Sequence, residues 1–135
     1  MNYLLDTNIC IYIIKEKPAN VIGRFREIKP GNIAISSITL AELQFGVMKS
    51  SNPSKNQEAL HKFIIPLEII NFDYAATIEY GRLRAHLESK GTPIGSMDTL
   101  IAAHALSKKL ILVTNNVKEF SRVPELRTEN WISLA

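Results

Sequence analysis

A three-layer α/β/α sandwich around a central, mostly parallel sheet is the fold this sequence predicts, and three observations predict it. Strand-like apolar runs alternate with helix-like segments along the whole chain, the pattern of a parallel sheet covered on both faces. The first run, Tyr3-Leu4-Leu5, stops abruptly at Asp6-Thr7-Asn8 before hydrophobicity resumes as Ile9-Cys10-Ile11-Tyr12-Ile13-Ile14, which reads as a buried strand feeding a helix. No internal repeat, low-complexity tract or linker divides the 135 residues, so residues 1–135 are expected to form one domain, long enough to bury a core without disulfides.

The remaining elements follow in order. Pro18 to Ile28 reads as a short helix with proline near its start, and Pro30-Gly31 as a turn. Ile33-Ala34-Ile35 is a short strand, followed by Ser36-Ser37-Ile38-Thr39 and a helix from about Leu40 to Met48. Lys49 to Lys55 is a polar loop, Glu58 to Ile65 a helix and Leu67 to Ile70 a strand. Tyr74 to Ser89 is a long helix with Ala75, Ile78, Leu83 and Leu87 as expected inward positions. After the break at Gly91-Thr92-Pro93 come a helix from Ser96 to Ser107, a strand from Leu110 to Val113, a short helix from Asn116 to Phe120, and Trp131-Ile132 as a last edge strand.

Composition narrows the class. Hydrophobic residues at 46% and charged residues at 21% describe an ordinary globular domain rather than a disordered or fibrous one. The lone Cys10 rules out a disulfide framework, suits a reducing compartment and reads as a small core residue. The N-terminus lacks a basic-then-apolar signal pattern, and no apolar run approaches the length that spans a bilayer, so a cytoplasmic protein is expected. The formal charge of +3 permits a polyanionic partner without demonstrating one. Acids number 13 against 16 lysines and arginines, so a local cluster of acids would require a cation.

In parallel α/β sheets ligands bind beyond the carboxyl ends of the strands, and the strand ends at Asp6, Ser36 and Thr114 should share one edge. Acids gather near those ends: Asp6 after the first strand, Glu42 in the helix after the second, Asp98 in the first turn of the helix opened by Ser96, and Glu119 shortly after Asn116. Each has a purely structural reading. Asp6 suits a helix N-cap, Thr39–Glu42 and Asn116–Glu119 fit capping boxes, and Asp98 is favoured by the helix dipole. Caps, however, need one group per helix and give no reason for carboxylates to converge. Convergent carboxylates repel and rise in pKa unless a cation compensates, and hard oxygen donors suit Mg²⁺ or Mn²⁺. His61, His86 and His104 are isolated, without zinc-like pairing, and are assigned to surface or helix packing.

Leu4-Leu5-Asp6-Thr7-Asn8, Ser36-Ser37 with Glu42, Pro93-Ile94-Gly95-Ser96-Met97-Asp98 leading into Leu100 to Ala105, and Val113-Thr114-Asn115-Asn116 with Glu119-Phe120 together resemble the PIN-domain ribonucleases. More narrowly they resemble the VapC toxins of bacterial type II toxin–antitoxin pairs. The likeness extends through Arg122-Val123-Pro124 to Glu129-Asn130-Trp131 and so covers essentially the whole domain. Each motif alone is short; four in the family's order at its approximate spacing are specific.

The resemblance implies a metal-dependent endoribonuclease. Asp6 and Asp98 match the family's main metal-ligand aspartates, and Glu42 its glutamate, acting on the metal directly or through water. Where many PIN domains carry a further aspartate this chain has Asn116, which supplies no charge; Glu119 is the candidate to take over that role, and one metal or two remain alternatives. Thr7, Asn8, Thr114 and Asn116 are placed to orient ligands and water around the metal. Hydrolysis with water as nucleophile, in line with the leaving 3′ oxygen, would leave a 5′ phosphate and a 3′ hydroxyl. Arg82, Arg84, Lys118 and Arg122 are candidates by position for holding the RNA backbone.

Some relatives with this pattern cleave the anticodon loop of initiator tRNA, a loop being where unstacked bases are accessible, and so inhibit translation. The family also implies a homodimer neutralised by a small DNA-binding VapB-like antitoxin. Ile9, Tyr12, Ile13 and Phe45 either line the antitoxin groove or belong to the core, which helix periodicity does not separate. Two rivals stand beside this reading. A phosphoryl-transfer domain also places aspartates at strand ends around Mg²⁺, but no second Asp follows Asp6 at the required spacing and no Gly-rich phosphate loop is present. A catalytically silent RNA-binding or scaffold domain would keep the fold and lose the chemistry.

Overall fold

Side-chain alternation along the strands of the computed structural model, which describes residues 1–132, sorts the apolar residues into two cores. Five strands form the sheet: β1 (Tyr3–Leu5), β2 (Ile33–Ser36), β3 (Glu68–Ile70), β4 (Ile111–Val113) and β5 (Thr128–Glu129). Their order is β3-β2-β1-β4-β5, and every neighbouring pair is parallel. Leu5, Ile33, Ile35 and Val113 face one way, into a core shared with residues of α1 (Thr7–Lys15), α2 (Ala19–Glu27), α3 (Ser37–Lys49) and α4 (Pro53–Ile64). Leu4, Ala34 and Leu112, one residue out of phase, face a second core with α5 (Tyr74–Ser89), α6 (Ser96–Lys108) and α7 (Val117–Phe120). The expected three layers are therefore present. The reason is the period-2 pleat, which offers both faces of a wholly apolar strand for burial.

β1 is central. The chain leaves it on one side for β2 and β3 and returns on the other for β4 and β5, so the strand order reverses between β1 and β4. Crossovers leaving such a sheet in opposite directions open a crevice at that point, beyond the carboxyl ends of the strands. Asp6 follows β1 and Thr114 follows β4.

Several local expectations change. The last strand is β5, Thr128–Glu129, rather than Trp131-Ile132. Trp131 is completely buried beneath the sheet, edge-on to Tyr3 at 5.7 Å, with its indole N–H donating to Glu129 Oε1 at 3.0 Å. A large apolar ring with one donor gains more from the core than from an edge strand. In α5 the buried residues are Ala76, Leu83 and Leu87, whereas Ala75 and Ile78 face solvent; the inward stripe follows the packing of α5 on α6. Helix α3 begins earlier than expected because Ser36, not Thr39, caps it: Ser36 Oγ accepts from the Ile38 N–H at 3.0 Å. The Thr39–Glu42 capping box does not form. Helix α4 likewise takes over part of the expected polar loop, since Asn52 Oδ1 accepts from the Lys55 N–H at 3.2 Å and Pro53 occupies the first turn.

Cys10 is buried in the first core, as expected of a small apolar residue. His61 and His86 lie at the surface. His104 is buried, with Nδ1 2.8 Å from Ser36 Oγ and its ring edge-on to Phe72. It ties α6 to the end of β2 and to the β3–α5 connection. Ile9 and Ile13 are core residues, Tyr12 is half-buried, and Phe45 is 67% exposed. Of the two alternatives left open for these four, Ile9 and Ile13 thus take the core, while Tyr12 and Phe45 keep exposed surface.

Because β1 is buried on both faces, Leu4→Ala and Leu5→Ala should each lower unfolding free energy by about 2–5 kcal/mol in denaturant titration. A small effect at either position would contradict a sheet covered on both sides.

Candidate active site

Asp6 stands where β1 hands over to α1. Its backbone is still extended and its N–H makes a last sheet-like bond to the Val113 carbonyl at 2.9 Å. Its side chain caps α1, Oδ1 accepting from the Thr7 N–H at 2.8 Å. The other oxygen, Oδ2, accepts from Thr114 Oγ1 at 2.8 Å. Thr114 is itself oriented, since its hydroxyl oxygen accepts from the Asn116 N–H at 3.0 Å. Asp6 is thus both a cap and a member of the acidic group. With each oxygen held by one donor, the carboxylate keeps lone pairs for a ligand. Thr7 extends the set, its hydroxyl donating to Glu42 Oε1 at 2.8 Å. Asn8, by contrast, is exposed in the first turn of α1 and has no side-chain hydrogen bond to the acids among the described residues.

The opposite wall is built at the start of α6. Gly95 is its N-cap and offers no side chain. Its N–H donates instead to Glu119 Oε1 at 2.9 Å, and Asn116 Nδ2 donates to Glu119 Oε2 at 2.6 Å. Asn116 therefore does not act as a side-chain cap of α7; it holds Glu119. A Cβ on Gly95 would lie 3.7 Å from Asp98 Oδ2 and 3.8 Å from Glu119 Oε1, so this glycine leaves open space between two carboxylates. Sequence reasoning misses Gly95 as a functional residue. Its place immediately before the helix that carries Asp98 is the one signal that points to it.

The electrostatics follow from this crowding. Burial pushes the Asp6 carboxyl up; the Thr114 and Thr7 hydrogen bonds pull it down, and Glu42 and Glu119 add repulsion. Asp98 is pushed up to about 7, first by desolvation, then by the charges of Asp6 and Glu119. Glu119, within hydrogen-bonding reach of Asp98, moves the other way, chiefly because it accepts from the Gly95 N–H, with Asn116, Asp98 and the Arg122 charge helping. Near neutrality the crevice holds a carboxylate at Glu119 beside an Asp98 that readily takes a proton.

Among the described residues no three Asp, Glu, His or Cys side chains close round a point as a complete ligand set. What faces the crevice is hard oxygen only: Asp6 and Asp98, with Glu42 and Glu119 within electrostatic range. Two carboxylates suit a cation that keeps several of its waters, as Mg²⁺ does. Desolvation and the charges of Asp6 and Glu119 raise Asp98, and positive charge among these groups would lower it.

The basic candidates separate. Arg122 lies at the crevice, its Nη1 donating to the Pro93 carbonyl at 3.1 Å. Lys118 is exposed in α7 next to Glu119. Arg84 is on α5, bonded to Glu88 Oε2 at 2.8 Å and to the Tyr80 hydroxyl at 3.0 Å, beside the chain that opens α6. Arg82 is elsewhere. It is paired with Glu79 at 2.9 Å and lines a cleft at the other end of α6, because two residues along a helix rotate a side chain by more than half a turn.

Comparison with known proteins identifies the family to which the whole chain belongs. The PIN domain family matches residues 3–126. The chain is 51% identical over 132 residues to Ribonuclease VapC2 of Rickettsia felis, covering 97% of this chain and 98% of that protein. It is 46% identical over 131 residues to the tRNA(fMet)-specific endonuclease VapC of Shigella flexneri, again with 97% and 98% covered. The crystal structure of VapBC2 from Rickettsia felis bound to a promoter DNA fragment superposes with a TM-score of 0.91 at 49% identity, over 97% of this chain and 99% of that one.

Since the Asp98 carboxyl lies above its ordinary 3.8, the folded chain binds more protons than the unfolded one between about pH 4 and pH 7, and this group's contribution to stability falls as pH rises through that window. Melting temperatures in EDTA should show the decline in the native protein and a weaker one in Asp98→Asn. Parallel curves would refute the assignment.

Proposed function

Because this chain belongs to the PIN domain family, we propose that it is a metal-dependent endoribonuclease that acts as the toxin of a toxin–antitoxin pair, with the crevice between β1 and β4 as its active site. The observation that carries this reading is the buried Asp6 facing an Asp98 pushed up to about 7, acids whose mutual repulsion near neutral pH is relieved by a proton on Asp98 or by a bound cation. Asp6 and Asp98 would hold Mg²⁺, with Mn²⁺ able to substitute. The bound cation supplies positive charge that acidifies a water and neutralises the scissile phosphate.

The protein's own groups do the rest. Thr7 and Thr114 fix the Asp6 carboxylate in one orientation, so no reorganisation accompanies the reaction. Glu42, anchored by the Thr7 hydroxyl, would orient the attacking water and take its proton. Glu119, gripped by Gly95 and Asn116, sets the charge facing Asp98 and supplies the acid missing at Asn116. Arg122, with Lys118 beside it, draws the phosphate backbone to the acidic edge. Attack in line with the leaving 3′ oxygen gives a 5′ phosphate and a 3′ hydroxyl. The silent-scaffold alternative loses ground because the acids keep hydrogen bonds that hold them in place.

The near-full-length likeness to a tRNA(fMet)-specific endonuclease supports initiator tRNA as substrate; the anticodon loop as the place of the cut and the cytoplasm as the compartment are part of the proposal. Likeness to a VapBC complex supports a VapB-like antitoxin as partner, and the proposal includes a homodimeric toxin within a larger assembly. Of the groove candidates, Tyr12 and Phe45 remain available to that partner, Ile9 and Ile13 being core. No helix among the described residues is long and apolar enough to cross a membrane.

Purified protein with Mg²⁺ should cut total RNA into discrete fragments bearing 5′ phosphates, and should stop when EDTA is added. Asp6→Asn and Asp98→Asn should each slow cleavage at least about a hundredfold. Ends carrying a 2′,3′-cyclic phosphate, or variants as active as the native chain, would overturn the mechanism. Thr114→Val should weaken Mn²⁺ binding by about 10–100-fold while the fold survives; undiminished affinity in a calorimetric titration would remove Thr114 from the site.

A further inference from the structure

We propose that the cleft at the amino-terminal ends of β4 and β5 is a second contact surface for the RNA substrate, holding its phosphate backbone at a distance from the cut. This rests on the ribonuclease reading and adds to it a place that the acidic crevice does not include. The cleft has a volume of about 690 Å³ and lies between α5, the end of α6 and the segment leading into β5. Lys109 stands just ahead of β4 and Arg127 immediately precedes β5, so the cleft opens at the sheet edge opposite Asp6. It is lined by apolar side chains together with Arg82, Lys109, Arg127, His86, Glu79 and Glu125.

Two observations on the cations point to an anion. Arg82 is already engaged by Glu79, but neither Lys109 nor Arg127 has a carboxylate within ion-pair distance among the described residues. Arg127 Nη2 instead donates to the Lys109 carbonyl at 3.0 Å, which fixes its guanidinium on the same wall as Lys109. With Arg82, these two outnumber Glu79 and Glu125 in the lining, so the cleft keeps a net positive charge that an anion would offset. Lys109 has left-handed backbone geometry, φ 56°, at a helix end where glycine is the cheaper residue.

The geometry suits an extended polyanion rather than a small ligand. Asp98 and Lys109 mark the two ends of α6, about 16 Å apart at the rise of an α-helix. Arg122 at the acidic crevice lies just ahead of the segment that walls the cleft. An RNA strand crossing this face would meet positive charge at both ends of its path, and a folded RNA spans the distance easily. The cut would be made at one edge of the sheet while the body of the RNA is held at the other.

The test uses Lys109→Gly with Arg127→Gln. Glycine suits the left-handed backbone, so loss of charge is not confounded with loss of fold, and melting temperature checks this. RNA binding is measured in EDTA by filter retention over a salt series, using full-length initiator tRNA and an oligonucleotide covering only its anticodon loop; KM and kcat are then measured with Mg²⁺. For the full-length RNA, the slope of log affinity against log salt should fall by about one for each phosphate that the variant no longer neutralises, KM should rise and kcat should hold, while the oligonucleotide should bind as before. Equal weakening for both RNAs, or no change with either, would overturn the proposal. So would intact RNA binding coupled with lost affinity for the antitoxin, which would assign the cleft to a protein partner. If the native protein neither binds nor cuts RNA, the functional reading fails first, and that outcome is distinct from failure at the cleft.

Discussion

Asp6 is 6% exposed at the end of β1, with a donor on each carboxylate oxygen, while Glu42 and Glu119 push on its charge and Asp98 faces all three. This mutual repulsion is the constraint to which the neighbouring structure responds. Each hydrogen bond in the crevice either supports a negative charge or fixes it in place: the Thr7 N–H and Thr114 hydroxyl on Asp6, the Thr7 hydroxyl on Glu42, the Gly95 N–H and Asn116 amide on Glu119. Asp98 alone lacks such a donor and is the carboxyl pushed furthest up. The crowding of these carboxyls costs stability, and a proton or a cation among them would relieve it.

The sheet is what brings these groups together. Asp6, Glu42, Asp98 and Glu119 are spread over more than a hundred residues and ride on α1, α3, α6 and α7 or the strand ends before them. Parallel pairing points every strand's carboxyl end the same way, and the reversal of strand order between β1 and β4 opens the space that Asp6 and Thr114 flank. Buried polar links then set the helices against the strands. His104 on α6 meets Ser36, which caps α3, so the helix carrying Asp98 and the helix carrying Glu42 are referred to the same strand end.

Charge is distributed unevenly between the two edges of this sheet. Acids concentrate at the carboxyl edge, where water and an ion reach them, and the cations without carboxylate partners at Lys109 and Arg127 sit at the other. A net charge of +3 conceals that separation. For a nuclease cations around the acids have a physical logic, because an acidic centre repels the polyanion it must cut and attraction has to come from Arg122 and Lys118 beside it as well as from Lys109 and Arg127 at the other edge.

Much of this was legible in the residues. Alternating apolar runs specified the layers, and the abrupt change from Leu5 to Asp6 located the end of the first strand and the start of its helix, because burial and helix capping are local demands written into short stretches. The motifs around Asp6, Glu42, Asp98 and Glu119 pointed to the acidic group. What local pattern could not decide was which of two local roles a residue takes. Thr39 could cap α3, yet Ser36 does; Trp131 could extend an edge strand, yet lies beneath the sheet; Ala75 and Ile78 could face inward, yet the packing of α5 on α6 chose Ala76. Arg82 and Arg84 look equivalent in sequence but point to different ends of α6. The gathering of Glu119, Gly95 and Asn116 around Asp98 was likewise set by tertiary structure alone, since the contacts that choose between locally similar arrangements join segments that only the completed sheet brings within reach.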